Sequence, residues 1–179
     1  MTSYVALLRG INVGKGNRVP MADLRALLCE LGYSDVVTLL NSGNAVFCAS
    51  SAPSAAHAKR IALAITGKFG LDISVIVKSA AEFAAVVQGN AQANATDHSQ
   101  LFAVFAQEAE ALDGLTTLTP LVVPPEVFSI GPHAAYLHCA GGVLKSKAGA
   151  ALLGKVGRSV TTRNWATTLR LQALLQALA

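Results

Sequence analysis

Hydrophobic positions in this chain come mostly in short unbroken runs. Tyr4 to Leu8 (YVALL), Ala45 to Ala49 (AVFCA), Asp72 to Val77 (DISVIV) and Leu101 to Ala106 (LFAVFA) read as strands. They are largely apolar on both faces, which predicts sheets covered on both sides. A strand over Asp35 to Leu40 and the turn Asn41-Ser42-Gly43-Asn44 form a hairpin with AVFCA. Between the strands the spacing becomes helical. Pro20 suits a first helical position, Met21, Leu24, Leu27, Leu28 and Leu31 follow, and Gly32 closes the turn. Pro53 opens a second helix with Ile61, Ile65 and Phe69 on one face and Gly70 at its end. Ser79 and Glu82 have the spacing of a capping box and start a third helix through Val87.

The second half repeats this order. It reads as a strand at Leu101 to Ala106, a short helix at Glu108 to Leu115, and a hairpin of Glu126 to Ile130 with Ala135 to Cys139. A helix over Lys145 to Leu153 and a strand near Arg158 to Thr161 follow. A last helix begins near Thr162 and carries Trp165 as a core anchor, with Leu171, Leu174, Leu175 and Leu178. The expected fold class is α+β, with two ferredoxin-like (βαββαβ) lobes from an apparent duplication, each followed by an extra helix. The lobes are placed at 1–90 and 100–179, with a polar linker over 91–99.

Composition narrows the class. The 179 residues are 53% hydrophobic and 13% charged, against a usual charged share of about 25%. Intrinsic disorder is therefore excluded. No apolar run reaches the roughly 18 residues of a spanning helix, so no membrane partner is expected. Met1 to Gly10 carries no basic segment ahead of its apolar run, so no secretory signal is read there. Cys29, Cys48 and Cys139 form an odd, widely spaced set, which suits reduced thiols and a cytoplasmic location. The net charge of +4 is segregated along the chain: residues 1–78 carry net +4, residues 79–126 six acidic and no basic residues, and residues 127–179 six basic and no acidic residues. Such a division points to a surface able to attract an anion.

The candidate chemistry lies in four loops and ends. The topology brings Arg9 to Arg18 and Asn41 to Asn44 to one edge of the first lobe. It brings Val143 to Lys147 and Thr161 to Trp165 to the opposite edge of the second. Head-to-tail packing of the lobes would line one basic cleft with all four. The candidate ligand contacts are Arg9, Asn12, Lys15, Arg18, Asn41, Ser42 and Asn44, together with Lys145, Lys147, Thr162, Arg163 and Asn164. Gly10, Gly14 and Gly16 allow close backbone approach, and Thr162 is placed to cap the last helix, whose first amides favour an anion. Each piece also has a plainer use as a turn or cap residue.

Standard catalytic patterns are missing. Gly149 to Lys155 (GAALLGK) resembles a phosphate-binding loop, but Val156 stands where Ser or Thr is needed. Gly14-Lys15-Gly16 does not complete a dinucleotide fingerprint. The four histidines are scattered, no C-x-x-C occurs, and no metal or cofactor is expected. Two function classes stand. One is a binding protein for a small anionic ligand, phosphorylated or nucleotide-like. Nucleic acid is a less favoured partner, because the aromatic strand signature of RNA-recognition motifs is missing. The other is a protein-protein interaction or homo-oligomer-forming module. Whether the chain is an enzyme stays open: Arg163 or Lys147 can stabilise an oxyanion, but no nucleophile-base pair stands out.

YVALLRGINVG (Tyr4 to Gly14), NSGNAVF (Asn41 to Phe47), Lys145-Ser146-Lys147 and TTRNW (Thr161 to Trp165) resemble one bacterial domain-of-unknown-function family of conserved hypothetical proteins. Pro20-Met21 fits the pattern too. Gly14-Lys15-Gly16 departs from the family's more usual Gly-Gly-Lys, and Thr168 from its valine. The resemblance implies a two-lobed α+β fold and no established reaction, ligand or catalytic residue.

Overall fold

A computed structural model describes residues 1–94 and 97–178. The chain runs β1 (Thr2–Leu8), α1 (Met21–Glu30), β2 (Ser34–Leu39), β3 (Asn44–Ala49), α2 (Ser54–Phe69), β4 (Val75–Ser79) and α3 (Ala80–Gln88). It continues with β5 (Leu101–Ala106), α4 (Glu110–Asp113), a 3-10 helix (Gly114–Leu121), β6 (Val127–Ile130), β7 (Ala135–His138), α5 (Lys147–Leu153), β8 (Val160–Asn164) and α6 (Trp165–Ala177). Two four-stranded antiparallel sheets result, ordered β2-β3-β1-β4 and β6-β7-β5-β8. This is the ferredoxin-like lobe twice, each followed by an extra helix.

The chain divides into two units. One holds residues 1–83 with the C-terminal stretch from Leu171, and the other holds Ala84–Arg170. The division falls inside α3 and inside α6. Residues 95 and 96 of the expected linker lie outside the described residues.

In the first unit, Tyr4, Ala6 and Leu8 of β1 and Ala45 and Phe47 of β3 pack with Leu24, Leu27 and Leu28 of α1 and Ala58, Ile61 and Ile65 of α2. The opposite face is also dry: Val5, Leu7, Val46 and Ile76 are at most 1% exposed. On that face the Cys48 thiol lies 4.0 Å from the Leu178 carbonyl, which places the chain's C-terminal stretch there. In the second unit, Val104, Ala106, Ala135, Leu137 and Val160 pack with Ala148 and Leu152 of α5 and with Leu115 and Leu118 of the 3-10 helix. On the other face the Tyr136 hydroxyl donates to the Val86 carbonyl of α3 at 2.6 Å, and its ring meets Trp165 edge-on. The burial expected of both strand faces is therefore present, and Trp165 is a core residue.

The repeat extends to single positions. Ser79 caps α3: its hydroxyl accepts from the Glu82 amide, and the Glu82 carboxylate accepts from the Ser79 amide at 2.7 Å. Asn164 caps α6, its side chain accepting from the Thr167 amide at 2.9 Å. One residue before each cap stands a buried cation, Lys78 opposite Val5 and Arg163 opposite Ala103. Burial works against the Glu82 carboxylate, but hydrogen bonds from Ser54 and Ser79 outweigh it and hold this carboxyl below the usual range.

Several expected boundaries move. The strand near Arg158 to Thr161 is β8, Val160–Asn164, so α6 starts at Trp165 rather than Thr162. β-branched threonines fit the ladder with β5 better than a helix turn, and Thr162 is a strand residue opposite Val104, not a cap. β4 begins at Val75, three residues after Asp72. The helix expected at Glu108 to Leu115 is the four-residue α4 followed by the 3-10 helix, and α5 begins at Lys147, after its cap.

A buried polar contact in the first unit sets a pH response. His57 is 6% exposed and packed against Tyr4, Tyr33 and Phe47, with its Nδ1 3.0 Å from the Tyr33 hydroxyl. Burial holds His57 below the ordinary histidine value; the Ser50 backbone opposes this and the Arg60 charge adds to it. The folded state therefore binds this proton less readily than the unfolded chain. Stability should be full above about pH 6.5 and fall below it. Urea unfolding from about pH 7 to pH 5 should show a steeper loss for the native protein than for His57→Phe. Equal slopes would remove His57 as the source.

Candidate functional site

The exit of β1 is fixed from two sides. The Leu8 amide donates to the Gly43 carbonyl at 2.8 Å, and the Arg9 amide to the Ser74 carbonyl at 2.9 Å. The following loop is anchored by Ile11 and Val19, both buried. Asn12 closes it. Its side-chain amide donates to the carbonyls of Val19 and Asn41, both at 2.8 Å, while its side-chain oxygen accepts from the Val19 amide at 3.0 Å. The Asn12 backbone amide donates to the Asn17 carbonyl at 3.0 Å. Gly10, Asn12, Gly14 and Asn17 all take positive φ, which Gly and Asn adopt at low cost. The loop and the hairpin tip thus meet at the expected edge, through Asn12 and Asn41.

At the tip, Asn41 and Ser42 are exposed. Gly43 has φ +80, and a Cβ there would lie 2.7 Å from Leu8 Cβ and 2.9 Å from Ile11 Cδ1. Only glycine fits. Asn44 is fully buried, and its amide donates to the Leu39 carbonyl and the Ser42 hydroxyl, each at 3.0 Å. Asn12 and Asn44 therefore build the edge. Lys15, Arg18, Asn41 and Ser42 present exposed polar groups on it, and Arg9 is half-buried. Burial pulls the Arg9 guanidinium below its ordinary value. The Arg18 guanidinium donates to the Gly14 carbonyl at 3.1 Å, which steadies it over the loop. No acidic residue precedes Asp23, so this segment is uniformly cationic.

In the second unit β7 and β8 end at the same edge, with His138 opposite Leu101 and Asn164 opposite Phe102. Lys145 and Lys147 are exposed on either side of Ser146, which is buried and caps α5 by accepting from the Gly149 amide at 3.0 Å. Arg163 is 8% exposed. Its guanidinium donates to the Thr161 hydroxyl at 2.9 Å and the Thr162 carbonyl at 2.7 Å, and burial pulls its pKa down to about 10. The first amides of α6 are already engaged: Trp165 and Ala166 donate to the His98 carbonyl and Thr167 to Asn164. The expected attraction of an anion to this helix start is thereby weakened. Gly149–Lys155 lies along α5 and its C-terminal cap Gly154, not on a phosphate loop.

Among the described residues no cluster of three or more His, Cys, Asp or Glu is able to hold a metal, and no helix is long and apolar enough to cross a membrane. Burial pushes the Cys48 and Cys139 thiols up, away from the reactive thiolate.

Comparison with known proteins finds a match, over residues 1–136, to the model of a family described as a protein of unknown function (DUF1697). A solved structure of a conserved bacterial protein from Streptococcus pneumoniae is similar over 97% of this chain and 98% of that one, with a TM-score of 0.81 and 26% identity. No curated protein matches.

The residues that hold the loop separate from its exposed cations by substitution. Asn12→Ala should lower unfolding stability by about 2 kcal/mol, since it removes the side-chain hydrogen bonds to Val19 and Asn41, and should expose the Val19 amide to hydrogen exchange. Gly43→Ala should cost at least as much through φ and the clash with Leu8. Lys15→Ala and Arg18→Ala should stay within about 0.5 kcal/mol of the native protein.

Proposed function

Because the chain belongs to the DUF1697 family of proteins of unknown function, we propose its function from the geometry of its loops: it binds a small anionic, phosphorylated ligand at the edge where the Arg9 to Arg18 loop meets the hairpin tip. One observation carries this reading. Asn12 clips a loop bearing three cations and no acidic residue to the turn that presents Asn41 and Ser42. Pre-ordered cations bind an anion with less loss of conformational freedom than mobile ones. Burial of Tyr4 and Phe47 under the helices leaves these central-strand rings out of reach of nucleic acid bases, which favours a small ligand over an RNA strand.

The test is calorimetric titration with inorganic phosphate and adenosine monophosphate at two salt concentrations. Affinity should fall with salt, and Lys15→Ala/Arg18→Ala should weaken binding by about tenfold or more, with the fold intact. Unchanged binding in that variant would overturn the site.

A second reading, self-association, is favoured by β6. This edge strand carries no charge and exposes Val127 and Ile130 at 48% and 38%, where edge strands are usually guarded by charge or a bulge. Light scattering should then show a dimer that Ile130→Lys dissociates; a monomer at all concentrations removes this reading.

A further inference from the structure

Leu40 occupies a position that its chemistry does not suit. Among the described residues, the non-glycine positions with positive φ are Asn12, Asn17, Asp35 and Leu40. Asn and Asp tolerate the left-handed region, whereas a leucine there is strained. Leu40 has φ +56 and is 50% exposed, so packing does not repay the strain. Exposure alone says little, since Leu63 and Leu144 are exposed as well. The combination with strain is particular to Leu40, and it falls at the candidate edge. Leu40 adjoins Asn41, whose carbonyl accepts from the Asn12 side chain at 2.8 Å, and Val13, 71% exposed, adjoins Asn12. Two exposed aliphatic residues thus flank the contact that joins the loop to the tip, and the loop that carries Val13 bears only cationic charges.

We propose that the ligand taken at this edge is an anion joined to an apolar or ring-shaped body, as in a nucleoside monophosphate. The cations Lys15 and Arg18 hold the charged group, and Leu40 and Val13 cover the body. The proposal rests on the anion reading above and adds the part of the ligand that the cations do not explain. A residue suited to that φ, Asn or Gly, would offer no aliphatic surface there.

The experiment titrates the full chain with adenosine monophosphate, inorganic phosphate and adenosine, in the native protein and in Leu40→Asn. The monophosphate should bind about tenfold more tightly than phosphate, the factor expected from covering part of a leucine. In Leu40→Asn that advantage should shrink to about twofold, phosphate affinity should hold, and the unfolding midpoint should stay level or rise. Val13→Ser is the second variant and should reduce the same advantage. An equal affinity for monophosphate and phosphate, an advantage that survives both variants, or a fall in the Leu40→Asn midpoint would overturn this inference and leave the anion site standing. Absence of binding by both anions, or adenosine binding as tightly as its monophosphate, would overturn the anion reading itself.

Discussion

Strand β3 is buried at all six positions and β1 at six of seven, and the first unit has to be built around that. A strand in an open antiparallel sheet can keep one face wet; these cannot, so each needs cover on two sides. Helices α1 and α2 supply one side, and the stretch from Leu171 lies on the other. The second sheet repeats the solution with α5 and the 3-10 helix on one side and the end of α3 on the other. Few polar side chains survive in such strands, and those present have partners: the Asn44 amide, Thr161 with Arg163, and the capped positions after Lys78 and Arg163. Exposed chemistry is pushed to the sheet edges, where loops are free to carry it.

Much of this was legible in the sequence. The apolar runs at Tyr4, Ala45 and Leu101 marked central strands, and their lack of a polar face announced the second layer. The Ser79–Glu82 capping box was readable because both partners lie within one turn. What failed was local ambiguity. Thr161 to Asn164 holds residues that serve as caps or as strand, and only pairing with β5 decides. The helix expected at Glu108 to Leu115 shortens to Glu110–Asp113, and the chain continues as a 3-10 helix over Gly114–Leu121.

For the candidate site, glycines and cations pointed to the Arg9 to Arg18 loop, but not to which of its residues hold the loop in place and which stay exposed. Asn12 and Asn44 read as ligand contacts because asparagine is polar and common in turns. Their partners, Val19, Asn41 and Leu39, are set by the fold rather than by spacing. Arg163 shows the same limit, since nothing in TTRNW says that its guanidinium is buried against Thr161 and Thr162. Leu40 gave no signal, because strain becomes visible only as a backbone angle.

The assignment of the stretch from Leu171 to the first unit has a consequence for how the chain acquires its structure. That unit is discontinuous: its opening 83 residues leave the ribosome before any of the second unit, and the stretch from Leu171 leaves after the second unit. During synthesis the face bearing Cys48 waits for a partner that does not yet exist, while residues 84–170 are contiguous and emerge in one piece. In vectorial synthesis all residues of the second unit are therefore present before the first unit has its full set, although the second is encoded later.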